Sequence, residues 1–133
     1  MNEDTADESP EPVSSFNDFL GLEITTSRSD LVIATWDVGP QHRQPYGIVH
    51  GGIHCSVVET LASIGAAAHA GPEHRVVGVH NSTDFTRAVK EGRLTSAATP
   101  IHQGRSSQLW LVETHDADGR LVARGQVRLQ TLR

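Results

Sequence analysis

Glu59 is the residue whose surroundings ask for a chemical role. It sits in Cys55-Ser56-Val57-Val58-Glu59-Thr60-Leu61-Ala62-Ser63, inside the only long apolar helix candidate of a 133-residue chain. Burying a carboxylate without partners costs several kcal/mol, although a glutamate on a helix is more often a solvated charge. The stretch ahead of it, Gln44-Pro45-Tyr46-Gly47-Ile48-Val49-His50-Gly51-Gly52, is a Pro/Gly loop that runs into the helix. A helix N-terminus presents unpaired N–H groups and the positive end of the helix dipole. Gly51 has no side chain to block approach to them. Such donors suit a carbonyl oxygen that gathers negative charge. Ser63 lies four residues beyond Glu59 and shares its face. A carboxylate in a largely apolar site is a stronger base or nucleophile than one in water. No Gly-x-Ser-x-Gly elbow is present. His50 and His54 are four apart, but His50 precedes the helix and no third ligand has standard spacing. No metal and no other cofactor is expected.

The elements that must carry these residues read as follows. A short helix through Asn17-Asp18-Phe19-Leu20 stops at Gly21. Two strands follow, over 22–26 and 31–38, and Gly39-Pro40 ends the second. Residues 39–52 form a long loop, and loops of that length in compact domains are usually functional. The helix then runs from about Gly51 to His69, about 28 Å, and stops near Gly71-Pro72. Ile53, Val57, Leu61, Ile64 and Ala68 form one stripe for the core. Cys55, Glu59, Ala62, Ser63 and Ala66 form a second, small except for Glu59. Gly65 weakens the helix by roughly 1 kcal/mol relative to Ala, which is understandable if something packs tightly there. Four strands complete the chain, over 75–87, 92–102, 105–115 and 120–132, the last after the Asp118-Gly119 turn signal. The pattern predicts an α+β domain, an antiparallel sheet covered on one side by one helix, with sheet edges that a second copy would close.

Bulk properties narrow the function. The net charge is −5, but the first twelve residues hold five acids and no base, and residues 13–133 carry eleven of each sign. A neutral body argues against nucleic-acid binding. One cysteine, Cys55, permits no internal disulfide and points to a reducing compartment. No run approaches a membrane span, and the acidic N-terminus lacks a signal-peptide pattern. A cytoplasmic domain over 14–133 with a disordered acidic tail over 1–13 is expected.

The element order and His50-Gly51-Gly52, with Gln44 six residues ahead of His50, Glu59 eight beyond Gly51 and Ser63 four further on, resemble the hotdog-fold thioesterases. Val76-Val77-Gly78, Pro100-Ile101-His102-Gln103-Gly104, Gln108-Leu109-Trp110 and Asp118-Gly119-Arg120-Leu121 extend the match over roughly 15–132. The likeness is to the PaaI-like, 4-hydroxybenzoyl-CoA thioesterase type, in the branch of the 1,4-dihydroxy-2-naphthoyl-CoA and enterobactin proofreading thioesterases. The resemblance implies a curved six-stranded antiparallel sheet wrapped around one central helix. It implies hydrolysis of an acyl-CoA or acyl-carrier-protein thioester. Glu59 would be nucleophile or general base, and Gly51 N–H the oxyanion donor. Gln44 and His50 would orient the thioester or the water, and Ser63 would position the water. The site would be shared between subunits of a homodimer, alone or paired into a tetramer. Arg87, Gly104, Arg105 and Ser106 are candidates for the phosphates of coenzyme A. Where that branch has Asn-His, this chain has Asp84-Phe85. Phe85 offers a flat apolar wall, which favours a more apolar acyl or aryl group. Two rival functions remain: a hotdog protein that binds acyl-CoA without cleaving it, and a hotdog dehydratase of 3-hydroxyacyl or enoyl thioesters.

Overall fold

The computed structural model describes residues 15–132; the acidic stretch 1–13 lies outside them. A short helix α1 (Ser15–Leu20) leads into strands β1 (Glu23–Ser27) and β2 (Val32–Asp37). A 3-10 turn (Pro40–His42) opens the loop to the long helix α2 (Gly51–Ala70). Strands β3 (Arg75–Phe85), β4 (Arg93–Gln103), β5 (Ser107–His115) and β6 (Leu121–Leu132) follow. They form one antiparallel sheet in the order β1-β2-β4-β5-β6-β3. One long helix packed in a six-stranded antiparallel sheet is the hotdog fold, as the sequence implied.

Period-2 alternation builds the sheet's inner face. Val32, Ala34 and Trp36 of β2, Leu94 and Ala98 of β4, Trp110 and Val112 of β5, and Val127 and Leu129 of β6 are all buried. Against them α2 sets Ile53, Val57, Val58, Leu61, Ala62 and Ala66. Each fully buried valine or leucine contributes roughly 1.5–3 kcal/mol relative to exposure. The buried stripe of α2 is therefore two residues wide. It keeps Ile53, Val57 and Leu61 of the predicted core stripe. It also takes Ala62 and Ala66 from the second stripe, and leaves Ala68 exposed. The small residues let the helix settle onto β5. A Cβ on Gly65 would collide with the Trp110 indole, which is the tight packing that the glycine predicts. Gln108 ties the same contact together, donating to Ala66 C=O at 3.0 Å while accepting from Trp110 Nε1 at 2.8 Å. Under the sheet, Trp36 Nε1 donates to Ser96 Oγ, which pairs with Thr114 Oγ1. Both tryptophans are thus core residues with satisfied N–H groups.

β3 is an edge strand that pairs only with β6, and one irregularity governs which side chains it turns toward α2. Gly78 stands opposite Leu129 and His80 opposite Arg128, so Val79 is an extra residue, a β-bulge. Plain alternation from Val76 and Gly78 would continue to His80, Ser82 and Asp84. The bulge resets the phase, and Asn81, Thr83 and Phe85 face the helix instead.

Candidate active site

Hydrogen bonds clamp the loop before α2 closely. Arg43 and Val49 form an isolated antiparallel bridge. Gln44 N–H donates to Ile48 C=O at 2.8 Å and Gly47 N–H to Gln44 C=O at 2.8 Å. Val49 N–H reaches Val89 C=O, and His50 N–H reaches His42 C=O, both at 2.8 Å. Within this frame Gln44 Oε1 accepts from Tyr46 N–H. That bond fixes the amide and leaves its NH2 end for other partners.

His50 is the N-cap of α2. Its Nδ1 accepts from Gly52 N–H at 2.8 Å, and its C=O accepts from Ile53 N–H at 2.9 Å. Nδ1 must be unprotonated to accept, so the neutral ring carries its proton on Nε2. Two of the first three N–H groups of the helix are thereby taken up. The remaining one, Gly51 N–H, has no acceptor among the described residues.

Gln44 and Gly51 line one open cavity of about 310 Å³ together with Ile48, Val49, His54, Phe85, Arg87 and Ala88. Phe85 stacks on the His54 ring, centroids 5.9 Å apart at 29°, and Trp36 meets His54 edge-on, centroids 6.0 Å apart. His54 is 3% exposed, and its Nδ1 is buried with no hydrogen-bond partner among the described residues. Burial pushes its pKa from 6.5 down to about 4, so the ring is neutral at pH 7. The other fully buried histidine, His42, has both nitrogens occupied. Nδ1 accepts from Gly39 N–H at 2.9 Å, and Nε2 lies 3.0 Å from Leu20 C=O. It fastens α1 to the body.

Glu59 stands elsewhere. It lines a second cavity, of about 330 Å³, with Phe16, Cys55, Ser56, Thr60 and Asn81. Two turns of helix, about 12 Å, separate it from Gly51 along α2. Asn81 Nδ2 donates to Glu59 Oε1 at 3.1 Å and to Cys55 C=O at 3.1 Å. Oε2 rests on the backbone of Gly78, where a Cβ would collide with it. Ser63 is half-buried one turn beyond and lines neither cavity. Gly104 and Arg105 line a third cavity with His69, His74 and Thr131, at the far end of α2. The Gly104 N–H is not free there, since it donates to Ser107 C=O at 2.9 Å. Ser106 C=O accepts from Thr131 N–H.

One chain therefore brings together Gln44, Gly51, Phe85 and Arg87, caps the helix with His50, and holds Glu59 apart. Asn81, Thr83 and the buried His54 were not read from sequence as site residues. The odd-numbered spacing of Asn81, Thr83 and Phe85 was the available signal, but only the bulge turns that series toward α2. Among the described residues no three His, Cys, Asp or Glu side chains come together to hold a metal. No helix of the described residues is long and apolar enough to cross a membrane.

Known proteins share this framework. The sequence family described as the thioesterase superfamily matches residues 46–123. Rv1847 of Mycobacterium tuberculosis is 44% identical over 131 residues, 94% of each chain. Its solved structure aligns with a TM-score of 0.86 at 47% identity, covering 88% of this chain and 95% of that one. The proofreading thioesterase EntH of Cronobacter turicensis is 35% identical over 108 residues, 81% of this chain and 79% of its own. The 1,4-dihydroxy-2-naphthoyl-CoA hydrolase of Escherichia coli K12 is 31% identical over 103 residues, 77% of this chain and 76% of its own.

Proposed function

The chain belongs to the thioesterase superfamily and is a thioester hydrolase, and within that family we propose that it cleaves an acyl-CoA or aryl-CoA thioester in the cytoplasm, using Glu59 and the N-terminus of α2. The observation that carries this reading is the single free donor at the helix start. His50 takes up the neighbouring N–H of Gly52 through its side chain and that of Ile53 through its C=O. Gly51 N–H alone is left to face the cavity. The Gln44 amide, held by Tyr46, offers a second donor from the same cavity wall. Two fixed donors lower the energy of a carbonyl oxygen as it becomes an oxyanion, and they need no reorganisation when charge develops.

Glu59 acts from the opposite side, as nucleophile or as general base toward water. By either route the acyl carbon–sulfur bond breaks, an acyl carbon–oxygen bond forms, and the departing thiolate takes a proton originating from water. Because Glu59 and Gly51 occupy different cavities of one chain, the reacting pair comes from two copies. The unpaired edge of β3, eleven residues long with Val77 and Val79 exposed, is the surface that supports such pairing. Ile48, Val49 and Phe85 make the donor cavity largely apolar, which suits an apolar acyl or aryl group. Arg87 at its rim suits a phosphate of the coenzyme, and Arg105 with Ser106 would reach it only from the partner copy.

Thiol release from a panel of aliphatic and aromatic acyl-CoAs tests the reading, run beside Glu59→Ala. Turnover in the variant should drop by at least ~10²-fold with an unchanged thermal melt. A folded Glu59→Ala protein with wild-type turnover would remove Glu59 from the mechanism.

A further inference from the structure

Glu59 is held by one hydrogen-bond donor among the described residues, and that donor belongs to a strand rather than to its own helix. We propose that Asn81 is a positioning residue for the Glu59 carboxylate and that Thr83 in turn orients Asn81. The inference rests on the reading of Glu59 as the reactive group.

The bonding of the Asn81 amide fixes its orientation. Both Nδ2 hydrogens are used, one on Glu59 Oε1 and one on the C=O of Cys55, each at 3.1 Å. Those two groups only accept, so the amide nitrogen must face them. On the other side Oδ1 accepts from Thr83 Oγ1 at 2.7 Å. A half-turn of the amide would set its oxygen against two acceptors and lose both of those bonds, leaving only the contact with the Thr83 hydroxyl, which can donate or accept. The Cys55 carbonyl lies one turn before Glu59, so Asn81 brackets the helix at the level of the carboxylate.

Three consequences for reactivity follow. The side chain of glutamate has three rotors, and an unfixed carboxylate would spend much of its time away from the reacting carbon. Asn81 holds Oε1, while Oε2 rests on the bare backbone of Gly78 with no donor among the described residues, so one oxygen is anchored and the other stays available. The anchor is also neutral. A lysine or arginine in its place would fix the carboxylate equally well but would stabilise its charge and weaken it as base or nucleophile. The amide aligns Glu59 without setting a positive charge beside it.

The experiment compares Asn81→Ala, Thr83→Val and Asn81→Asp with wild type and Glu59→Ala in steady-state thiol release, each checked by thermal melt. Asn81→Ala should lower kcat by ~10- to 10²-fold with KM within about twofold, since the lost interaction serves the reacting group and not substrate binding. Thr83→Val should lower kcat by about 3- to 10-fold, in the same pattern. Asn81→Asp sets a second carboxylate beside the first and should move the acid limb of the kcat profile up by roughly one pH unit. The other side chains around Glu59 are Phe16, Ser56 and Thr60, which do not titrate, and Cys55. If Asn81→Ala does not fold, Thr83→Val carries the test on the same kcat-against-KM readout. Wild-type kcat in a folded Asn81→Ala or Thr83→Val protein, with Glu59→Ala inactive, overturns the positioning role alone. A change confined to KM overturns it too. Full activity in Glu59→Ala overturns both this inference and the reading beneath it.

Discussion

His54 shows how much a single side chain can record about its setting. It is a buried histidine of α2, in ring contact with both Phe85 and Trp36, with a buried Nδ1 that no described residue meets. Desolvation lowers its pKa to about 4 from 6.5. The unfolded chain therefore binds a proton more readily than the native one. Above pH 6.5 neither state is protonated and this group adds no pH dependence. As pH falls from 6.5 toward 4, the unfolded state gains protons that the native state refuses, and native stability drops. The whole loss is about 3 kcal/mol. His54→Gln cannot take up that proton. Denaturant unfolding of both proteins between pH 7 and pH 4 should show wild type losing more stability than the variant by roughly that amount. Parallel curves would mean that the ring is hydrated in solution.

The β3 strand makes a sharper case, because the identity of its inward residues depends on one extra residue. Deleting Val79 should be tolerated. Gly78 and His80 already face consecutive residues of β6, so both halves of the strand keep their partners and Asn81, Thr83 and Phe85 keep their face. Deleting Ser82 should not be. It would turn Phe85 outward and press the Asp84 carboxylate against the apolar face of α2, at a cost of several kcal/mol. Thermal melts of the two deletions should separate clearly, and equal melts would deny the bulge this role. The same strand marks the limit of sequence reading. Helix and strand ends were legible to within about two residues because alternation and Gly, Pro and Asp-Gly signals are local. The bulge was not, since it exists only in the pairing of β3 with β6. The stripe of α2 was half legible. Ile53, Val57 and Leu61 follow from period, but how far the sheet wraps round to Ala62 and Ala66 is set by Trp110 and Gly65. Gln44, Gly51 and Glu59 were legible as a motif. Their separation into two cavities was legible only through the family resemblance, which implied a site shared between subunits, and not from local pattern.

That separation governs the whole molecule. If each site takes Gln44 and Gly51 from one copy and Glu59 from the other, two differently damaged proteins should repair each other. Glu59→Ala and Gln44→Ala homodimers should each be nearly inactive in thiol release. Refolded together in equal amounts, half of the dimers would be mixed, and each mixed dimer would hold one intact site and one doubly broken site. The mixture should recover about a quarter of wild-type activity, less any residual activity of the parents. No recovery, in the presence of mixed dimers, would mean that one chain completes its own site. The outcome reaches past the test tube. The two cavities lie two helical turns apart on α2, so a lesion in one leaves the other serviceable. A cell carrying two defective alleles, one with the donor loop spoiled and one with the carboxylate spoiled, would keep a working enzyme. A cell carrying two copies of either lesion would not.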